Sequence, residues 1–291
     1  IGCGYNGGSG SNIKISGGTV TATGGDYGAG IGGGFDGSAD NIKISGGSVK
    51  AVAGTGYQNC VPAAIGQGVQ YDSNTGVYSN GAEVTPTDGT DNVYLLELDV
   101  DGTSAVTANG KAYPTKHFDE NKVYIYLPAK TAQAPNEVTV GNETTKYCYI
   151  NAKWLKVVDS PEADDTEFTY DGTEKTYTLA ESENYTITGN KQTTAGTYTV
   201  TVALNDKDNT VWNDGTTDDK TFTFTIAKAT VTVTANSYTI KVGEALPTYA
   251  YDVAGLVNGE TLPIDVTISC NAADSNTAGT YTITVSGAAN S

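Results

Sequence analysis

The sequence feature that most constrains the fold is a seven-residue phrase that occurs twice. Residues 12–18 and 41–47 both read Asn-Ile-Lys-Ile-Ser-Gly-Gly, 29 positions apart. A β-branched run follows each copy, and a glycine-rich Ile-Gly segment comes next, at residues 31–34 and 65–68. A further Ile-Gly segment opens the chain at residues 1–4. Self-similarity at a period of about 20–50 residues is the signature of stacked repeats.

Each repeat contains three short runs in which apolar and polar residues alternate, a pattern typical of strands with one buried face. Glycine pairs separate the runs and are expected to form corners, because glycine adopts positive φ without steric cost. Three strands and three corners in about 29 residues predict one coil of a parallel β-helix. In the first repeat the runs and corners are, in order, 13–15, Gly17-Gly18, 20–22, Gly24-Gly25 and 29–31.

Stacked coils would bury the recurring apolar residues in columns. The predicted columns are Ile13 on Ile42, Ile15 on Ile44, Val20 on Val49, and Ile1 on Ile31 on Ile65. One coil cannot bury its inner face alone, so about three or more repeats are expected. The chain holds about two and a half and starts in mid-repeat, which predicts that it is a piece of something longer.

The charge balance excludes several classes of partner. Thirty-three acidic residues oppose 16 basic ones, all of them lysine, for a net charge of −17. Nucleic acid and anionic lipid both require clustered basic residues, so neither is an expected partner. No run of about 18 apolar residues exists, and membrane insertion is not predicted for this chain. Neither a signal peptide nor a wall-anchoring tail is evident, as expected if both ends were trimmed.

The cysteines and the single histidine do not predict a metal or catalytic centre. The four cysteines are far apart in sequence, without a Cys-x-x-Cys motif, so zinc is not expected. Cys3 and Cys60 are the one pair considered for a disulfide, which would require residues 57–62 to fold back across a coil. The alternative is four reduced, mostly buried thiols. His117 lies in a polar loop and is expected to be solvated.

The chain changes character after the coils. Residues 71–91 are rich in Asn, Ser, Thr and Gly and are interpreted as a linker or a cap on the coils. From Asn92, apolar runs separated by Asp-Gly, Asn-Gly and Gly-Asn turns predict a small sheet or sandwich of about 65 residues. The predicted strands are 93–100, 123–127, 138–140 and 146–150.

A second repeat marks the last two modules. Residues 194–202 begin Thr-Ala-Gly-Thr-Tyr, and the same five residues return at 277, 83 positions later. Gly-x-Tyr before alternating β-branched residues resembles the corner before strand F of an immunoglobulin-like sandwich, where the tyrosine hydroxyl binds upstream backbone. The resemblance assigns that role to Tyr198 and Tyr281, and it directs Val200 and Ile283 into the cores.

The predicted fold class is therefore all-β, with a partial parallel β-helix, a small β-sandwich and two immunoglobulin-like sandwiches in tandem. The second sandwich stops just past its Tyr281 strand without a closing strand, so a truncated module or an open edge is expected. The domains are predicted at 1–91, 92–157, 158–229 and 230–291.

Several phrases resemble modules of bacterial surface proteins. Residues 15–23 and 28–34 resemble repeats of multidomain, adhesin-like cell-surface proteins of Gram-positive gut bacteria, repeats that are often labelled carbohydrate-binding. Three later phrases are similar to bacterial immunoglobulin-like surface modules, and Thr230 onward resembles the MBG-type module. Those phrases are 168–173, 195–198, 212–215 and, for the MBG-type module, 254–260.

This resemblance implies a non-enzymatic adhesion or stalk protein that is extracellular, at the cell surface or in the cell wall. Its expected partner is a host or dietary glycan or a host surface protein. The alternative function is a carbohydrate-binding module that uses the exposed face of the β-helix. The family pattern assigns no ligand-contact residue.

Two other functions, catalysis and calcium binding, have less support in the sequence. β-Helices also carry polysaccharide lyases and hydrolases, which require converging carboxylates. The first coil offers Asp26, Asp36 and Asp40, but the second adds only Asp72, and no arginine is present. No cofactor is predicted, although structural calcium is possible at residues 32–37 or at later acidic loops, because calcium prefers oxygen ligands. Those loops contain Asp164-Asp165, Asp214 and Asp218-Asp219.

The candidate ligand site is aromatic. Sugars pack on flat aromatic faces beside polar groups, and five rings punctuate the glycine corners of the β-helix. Tyr5, Phe35 and Val69 follow the three Ile-Gly segments and share one predicted column. The alternative is that the rings only cover glycine-rich corners. The predicted glycan platform consists of Tyr5, Tyr27, Phe35, Tyr57 and Tyr71.

Overall fold

The computed structural model describes residues 1–4, 7–101, 104–114, 121–262 and 265–287. The chain forms two compact units, of which the first comprises residues 1–160 and 204–218 and the second residues 161–203 and 219–291. Every regular element in these described stretches is a β-strand, so the all-β prediction is confirmed. The four domain boundaries inferred from the sequence stay a prediction, and His117 lies outside the described residues.

The first unit begins with two coils of a parallel β-helix. Three parallel two-stranded sheets form its sides, pairing β1 with β4, β2 with β5 and β3 with β6. The strands are β1 (Gly10–Ser11), β2 (Lys14–Thr23), β3 (Ile31–Gly32), β4 (Ala39–Asp40), β5 (Lys43–Val52) and β6 (Ile65–Gly66). The predicted parallel β-helix is therefore confirmed.

One predicted corner was wrong. Gly17-Gly18 does not separate two strands, because β2 continues through it, and Gly46-Gly47 lies likewise inside β5. The pairing of β2 with β5 shifts register here, and Gly18 and Gly47 have φ of 82° and 88°. The glycines thus form a bulge, which bends a strand without ending it. The third side of the coil comes from β1 and β4 instead.

The predicted columns are present between the coils. Ile15 pairs with Ile44, Val20 with Val49 and Ile31 with Ile65. Ile31, Ile44 and Val49 are at most 1% exposed and belong to one apolar core. Backbone bonds also connect the coils at the other two predicted columns. The Lys43 amide donates to the Ile13 carbonyl at 2.7 Å, and the Gly32 amide donates to the Ile1 carbonyl at 2.9 Å.

A second column consists of glycines. Gly2, Gly32 and Gly66 have φ of 142°, 134° and 143°, a region that essentially only glycine occupies. A Cβ on Gly2 would lie 1.9 Å from the Gly32 oxygen, and one on Gly32 would lie 2.0 Å from the Gly66 oxygen. The Ile-Gly phrase therefore recurs because isoleucine fills the core while glycine admits the next coil's backbone.

The segment after the second coil lies across the edge of that coil. The Gln67 amide donates to the Ala82 carbonyl and the Val84 amide to the Ile65 carbonyl, both at 2.9 Å. Glu83 accepts the Ala64 amide at 3.1 Å through its side chain. The antiparallel hairpin β7 (Gln70–Asp72) and β8 (Val77–Ser79) precedes this segment. The backbone groups of an unpaired strand edge can pair with other chains. These hydrogen bonds satisfy many of the backbone groups at the edge of the second coil.

The rest of the first unit forms a β-sandwich that packs against the β-helix. An antiparallel pair, β9 with β12, packs on a six-stranded sheet in the order β11-β10-β13-β14-β15-β21 around one apolar core. The strands are β9 (Val93–Asp99), β10 (Val106–Ala108), β11 (Lys111–Tyr113), β12 (Lys122–Pro128), β13 (Asn136–Val140), β14 (Glu143–Ile150), β15 (Lys153–Val158) and, later in the chain, β21 (Thr210–Trp212).

Several side chains join this sandwich to the β-helix, among them Ser48 and Tyr126. Ser48, fully buried in β5, accepts a hydrogen bond from the Tyr124 amide at 3.1 Å. Tyr126 packs against the β-helix core. Burial, and to a smaller extent the Glu83 carboxylate, raises the pKa of Tyr126 to about 12. The coils are therefore covered by protein on the β5 side.

The second unit holds both tyrosine corners. The Tyr198 hydroxyl donates to the Thr194 carbonyl at 2.9 Å, and the Tyr281 hydroxyl donates to the Thr277 carbonyl at 3.1 Å, as the repeat predicts. Val200 is fully buried. The strands are β16 (Phe168–Thr169), β17 (Lys175–Thr176), β18 (Tyr185–Thr188), β19 (Lys191–Gln192), β20 (Gly196–Leu204), β22 (Lys220–Ala227), β23 (Thr232–Ala235), β24 (Tyr251–Ala254), β25 (Thr267–Cys270) and β26 (Ile283–Ser286).

Gly32→Ala tests the glycine column. The new Cβ would meet the Gly66 oxygen at 2.0 Å in a backbone conformation that disfavours side chains, so we expect a loss of about 3 kcal/mol or more in unfolding free energy. Gly17→Ala is the control, because a Cβ there meets nothing within 4 Å, and its effect should stay within about 0.5 kcal/mol. Urea unfolding followed by tryptophan fluorescence reports the first unit, which holds both tryptophans. Equal midpoints for the two variants would contradict the stacked column.

Tyr126→Phe tests the packing of the sandwich on the coils. The pKa of Tyr126 is raised from 10.0 to about 12 by folding, so its contribution to stability is complete below pH 10 and is lost as the pH rises toward 12. We expect the phenylalanine variant to lose less unfolding free energy than the unsubstituted chain between those pH values. Tyr71→Phe, at an exposed ring, is the control. Identical alkaline profiles for the Tyr126 variant and the unsubstituted chain would show that this ring is not buried.

Candidate functional site

Five aromatic rings meet at one corner of the β-helix. Tyr78 lies at the centre, with ring centroids 4.7 Å from Tyr57, 4.8 Å from Tyr71 and 6.2 Å from Phe35. Tyr27 completes the group at 5.3 Å from Tyr57 and 5.8 Å from Phe35. We call these five residues the aromatic cluster. Three separate stretches of chain supply it, so it exists only when the coil is folded.

Tyr27 adopts a backbone conformation that is unusual for a bulky residue. Its φ is 63°, in the left-handed region that glycine or asparagine normally occupies. Two backbone bonds hold it there, one from its own amide to the Thr55 carbonyl at 2.9 Å and one from the Val69 amide to its carbonyl at 2.7 Å. The residue 29 positions later, Gly56, does not have a positive φ, so the second coil turns differently here, next to its insertion. The left-handed backbone of Tyr27 is therefore particular to the first coil.

Tyr57 is presented by a tight turn. Tyr57 and Cys60 exchange both backbone hydrogen bonds, each at 2.8 Å. The two residues between them, Gln58 and Asn59, have φ of 46° and 67°. Positive φ at both central positions defines a type I′ turn, which closes a hairpin rigidly. The insertion in the second coil thus fixes the position of the Tyr57 backbone beside the other rings.

The hairpin of β7 and β8 supplies the last two rings. Tyr71 and Tyr78 are direct cross-strand partners, which brings their side chains to one face. Asp72 caps the turn, because its carboxylate accepts the Asn74 amide at 2.8 Å and its carbonyl accepts the Gly76 amide at 2.7 Å. The Asn74 bond, more than any other, lowers the pKa of Asp72. The turn is therefore most stable with an ionised carboxylate.

The cluster has an exposed side with acidic neighbours. Tyr57 and Tyr71 are each 37% exposed, whereas the other three rings are half-buried. Asp26 adjoins Tyr27 and accepts the Thr55 hydroxyl at 2.7 Å. Asp36, next to Phe35, accepts the Tyr71 amide at 3.2 Å. Aromatic faces beside fixed polar groups are what sugar rings and other amphipathic ligands bind.

The structure brings together four of the five predicted platform residues, namely Tyr27, Phe35, Tyr57 and Tyr71, and the fifth, Tyr5, lies outside the described residues. Sequence reasoning missed Tyr78, the ring with the most partners in the cluster. The signal was present in residues 71–78, where Asp-Ser-Asn-Thr-Gly between two short β-prone runs is typical of a hairpin. Reading this stretch as linker or cap concealed the Tyr71–Tyr78 pair.

The predicted column of Tyr5, Phe35 and Val69 can be followed only in part, because Tyr5 lies outside the described residues. The Asp36 amide donates to the Val69 carbonyl at 2.8 Å, so the backbones of Phe35 and Val69 are neighbours as the column requires. Val69 is fully buried and adds no exposed surface. The five described rings meet between a coil corner, a turn and a hairpin.

The other candidate groups do not assemble into a site. In the part of the chain that the structure describes, no group of three or more His, Cys, Asp or Glu side chains is placed to hold a metal ion. Asp164 and Asp214 instead cap their own turns, accepting the Thr166 and Thr216 amides at 2.9 and 3.0 Å. Structural calcium stays a prediction. The four cysteines are free thiols, and only Cys148 is buried, so the expectation of mostly buried thiols was wrong.

Two sizeable hollows lie among the described residues of the second unit. The larger, of about 740 Å³, contains the hydrogen bond that the Tyr170 hydroxyl donates to the Glu260 carboxylate. The other, of about 470 Å³, lies in the C-terminal module and is lined in part by Tyr238 and Tyr281. Both of these tyrosines hold the module together: the Tyr238 hydroxyl accepts the Ala250 amide at 2.9 Å, and Tyr281 forms the corner already described. Structural side chains therefore line both hollows, and the aromatic cluster is the stronger candidate site.

Three stretches of the chain match two known families. Residues 13–35 and 42–66 match the family described as beta helix repeat, and residues 231–291 match the MBG domain of the YGX type. The chain has no match among curated proteins or solved structures. Both families fit a repeat protein of the surface or adhesion type. Among the described residues, no helix is long and apolar enough to cross a bilayer.

Proposed function

We propose that this chain is a non-catalytic adhesion or stalk protein of the cell surface, in which tyrosine-corner modules carry a β-helical head. The observation that supports this most strongly is the combination of a beta helix repeat and an MBG domain in one chain. The expected location is extracellular, on the cell surface or in the cell wall. The expected partner is a host or dietary glycan or a host surface protein.

Surface labelling of intact source cells tests the location. Antibodies raised against the purified chain should stain unpermeabilised cells, and external protease should remove the signal, because an adhesion module acts outside the envelope. A cytoplasmic enzyme probed in parallel controls for lysis. Staining that requires permeabilisation would place the protein inside the cell and refute the proposal.

A second candidate function is carbohydrate binding by the aromatic cluster. The observation that favours it is the exposed pair Tyr57 and Tyr71 around Tyr78, held by a type I′ turn and a hairpin at fixed positions. Rings on rigid backbone lose little entropy on binding, which favours affinity. Tyr27, at its left-handed corner, packs against Tyr57 and Phe35 in the same cluster.

Substitution of the exposed rings tests the binding surface. On a glycan array and then by calorimetry with the best oligosaccharide, Tyr57→Ala and Tyr71→Ala should each weaken binding about tenfold, since an aromatic contact contributes up to about 1.5 kcal/mol beyond its area. Tyr57→Phe and Tyr71→Phe keep the ring and should retain most of the affinity. Val77→Ala removes an exposed apolar side chain from the same hairpin and is the control. Binding that survives both alanine substitutions would exclude the cluster as the contact surface.

A further inference from the structure

We propose that two carboxylates beside the aromatic cluster act as a charge filter, so that the glycan it binds is neutral rather than acidic. The residues are Asp26 and Asp36. This inference rests on the carbohydrate-binding function proposed above and narrows its ligand class. Uronate-rich, sialylated and sulfated glycans are disfavoured, and uncharged hexose or N-acetylhexosamine chains are the expected ligands.

Each carboxylate lies next to one ring of the cluster and is bonded to a stretch that carries another. Asp26 precedes Tyr27 and accepts the Thr55 hydroxyl, two residues before Tyr57, and Asp36 follows Phe35 and accepts the Tyr71 amide. Both side chains are exposed. Asp72 does not belong to this pair, because it follows Tyr71 along strand β7 and successive side chains of a strand point to opposite faces.

The positions of the carboxylates are fixed by hydrogen bonds. Asp26 accepts the Thr55 hydroxyl at 2.7 Å, and Asp36 accepts the Tyr71 amide at 3.2 Å. In both cases the bond uses Oδ1, and among the described residues Oδ2 has no hydrogen-bond partner. A carboxylate oxygen only accepts hydrogen bonds, and bonds to an ionised acceptor are stronger than neutral ones. Sugar hydroxyls are donors that match these oxygens, whereas a second carboxylate or a sulfate offers no donor there.

No basic side chain near in sequence offsets these charges. All five rings lie in two stretches, residues 15–42 and 51–110, that contain neither lysine nor arginine. Proteins that bind acidic sugars or phosphates use Arg or Lys to pair the anion. An acidic glycan at this surface would meet the Asp26 and Asp36 carboxylates, and exposed charges act over a Debye length of about 8 Å at physiological salt. The repulsion is therefore local and sensitive to ionic strength.

A charge-matched set of probes tests the filter. Cellohexaose, mannohexaose and chitohexaose are the neutral probes, and oligogalacturonate, sialyllactose and a heparin hexasaccharide are the acidic ones. Binding to the purified chain is measured by calorimetry at low and physiological salt. We expect at least one neutral probe to bind, and acidic probes to bind at least fivefold more weakly, with the difference shrinking as salt rises.

Isosteric substitution identifies the residues. In the double variant Asp26→Asn and Asp36→Asn, the ratio of acidic to neutral affinity should rise about fivefold. A control double variant, Glu137→Gln and Glu143→Gln, removes the same charge from exposed positions outside the cluster and should leave the ratio unchanged. Tryptophan fluorescence melts check that both variants fold, and single substitutions replace the double variant if it does not.

The outcomes separate this inference from the function beneath it. Failure of every probe, neutral and acidic, on the array and in solution, would overturn the carbohydrate-binding proposal itself. Equal affinity for neutral and acidic probes, unchanged by the Asn substitutions, would overturn the charge filter and leave glycan binding intact. An equal rise in the ratio for both double variants would assign the selectivity to net charge rather than to these two positions.

Discussion

The structure depends on how closely one coil of backbone can approach the next. Ile31 and Ile65 fill the interior of the coil, and the glycine after each one allows the following carbonyl within about 2 Å of where a Cβ would stand. In each Ile-Gly phrase, the isoleucine thus fills the core and the adjacent glycine lets the next coil approach. Because both requirements recur with every turn, the phrase recurs too, and a short repeated sequence specifies a stack rather than a compact sheet.

A rigid stack makes its corners suitable for presenting side chains. The coil fixes Tyr27 through bonds to Thr55 and Val69, and the insertion and hairpin that bring Tyr57 and Tyr78 start from the second coil. The segment beyond the hairpin then lies along the open edge, with Glu83 bonded to the Ala64 amide. The same stretch of chain therefore supplies part of the cluster and covers the edge that would otherwise attract other strands.

The sequence contained the coil and the tyrosine corners, but not the whole candidate site. The coil columns follow from local periodicity, which is why the Ile15–Ile44 pair was predicted correctly, whereas the bond from Tyr198 to upstream backbone was predicted from the resemblance to immunoglobulin-like sandwiches. Gly17-Gly18 misled because a glycine pair is compatible with a corner and with a bulge, and only the register between coils decides. Tyr78 was missed because its partners are set by hairpin pairing and by contact between distant segments, which alternation along the chain does not encode.

The aromatic cluster carries costs that a purely structural corner would avoid. Tyr27 has a φ of 63°, which costs a bulky residue free energy that glycine would not lose. Tyr57 and Tyr71 keep 37% of their surface exposed, so part of the benefit of burying them is lost as well. A corner that needed only to be covered would be served by smaller or more fully buried side chains. The proposed binding function accounts for strained and exposed rings beside fixed carboxylates, because a bound ligand would complete the burial of the rings.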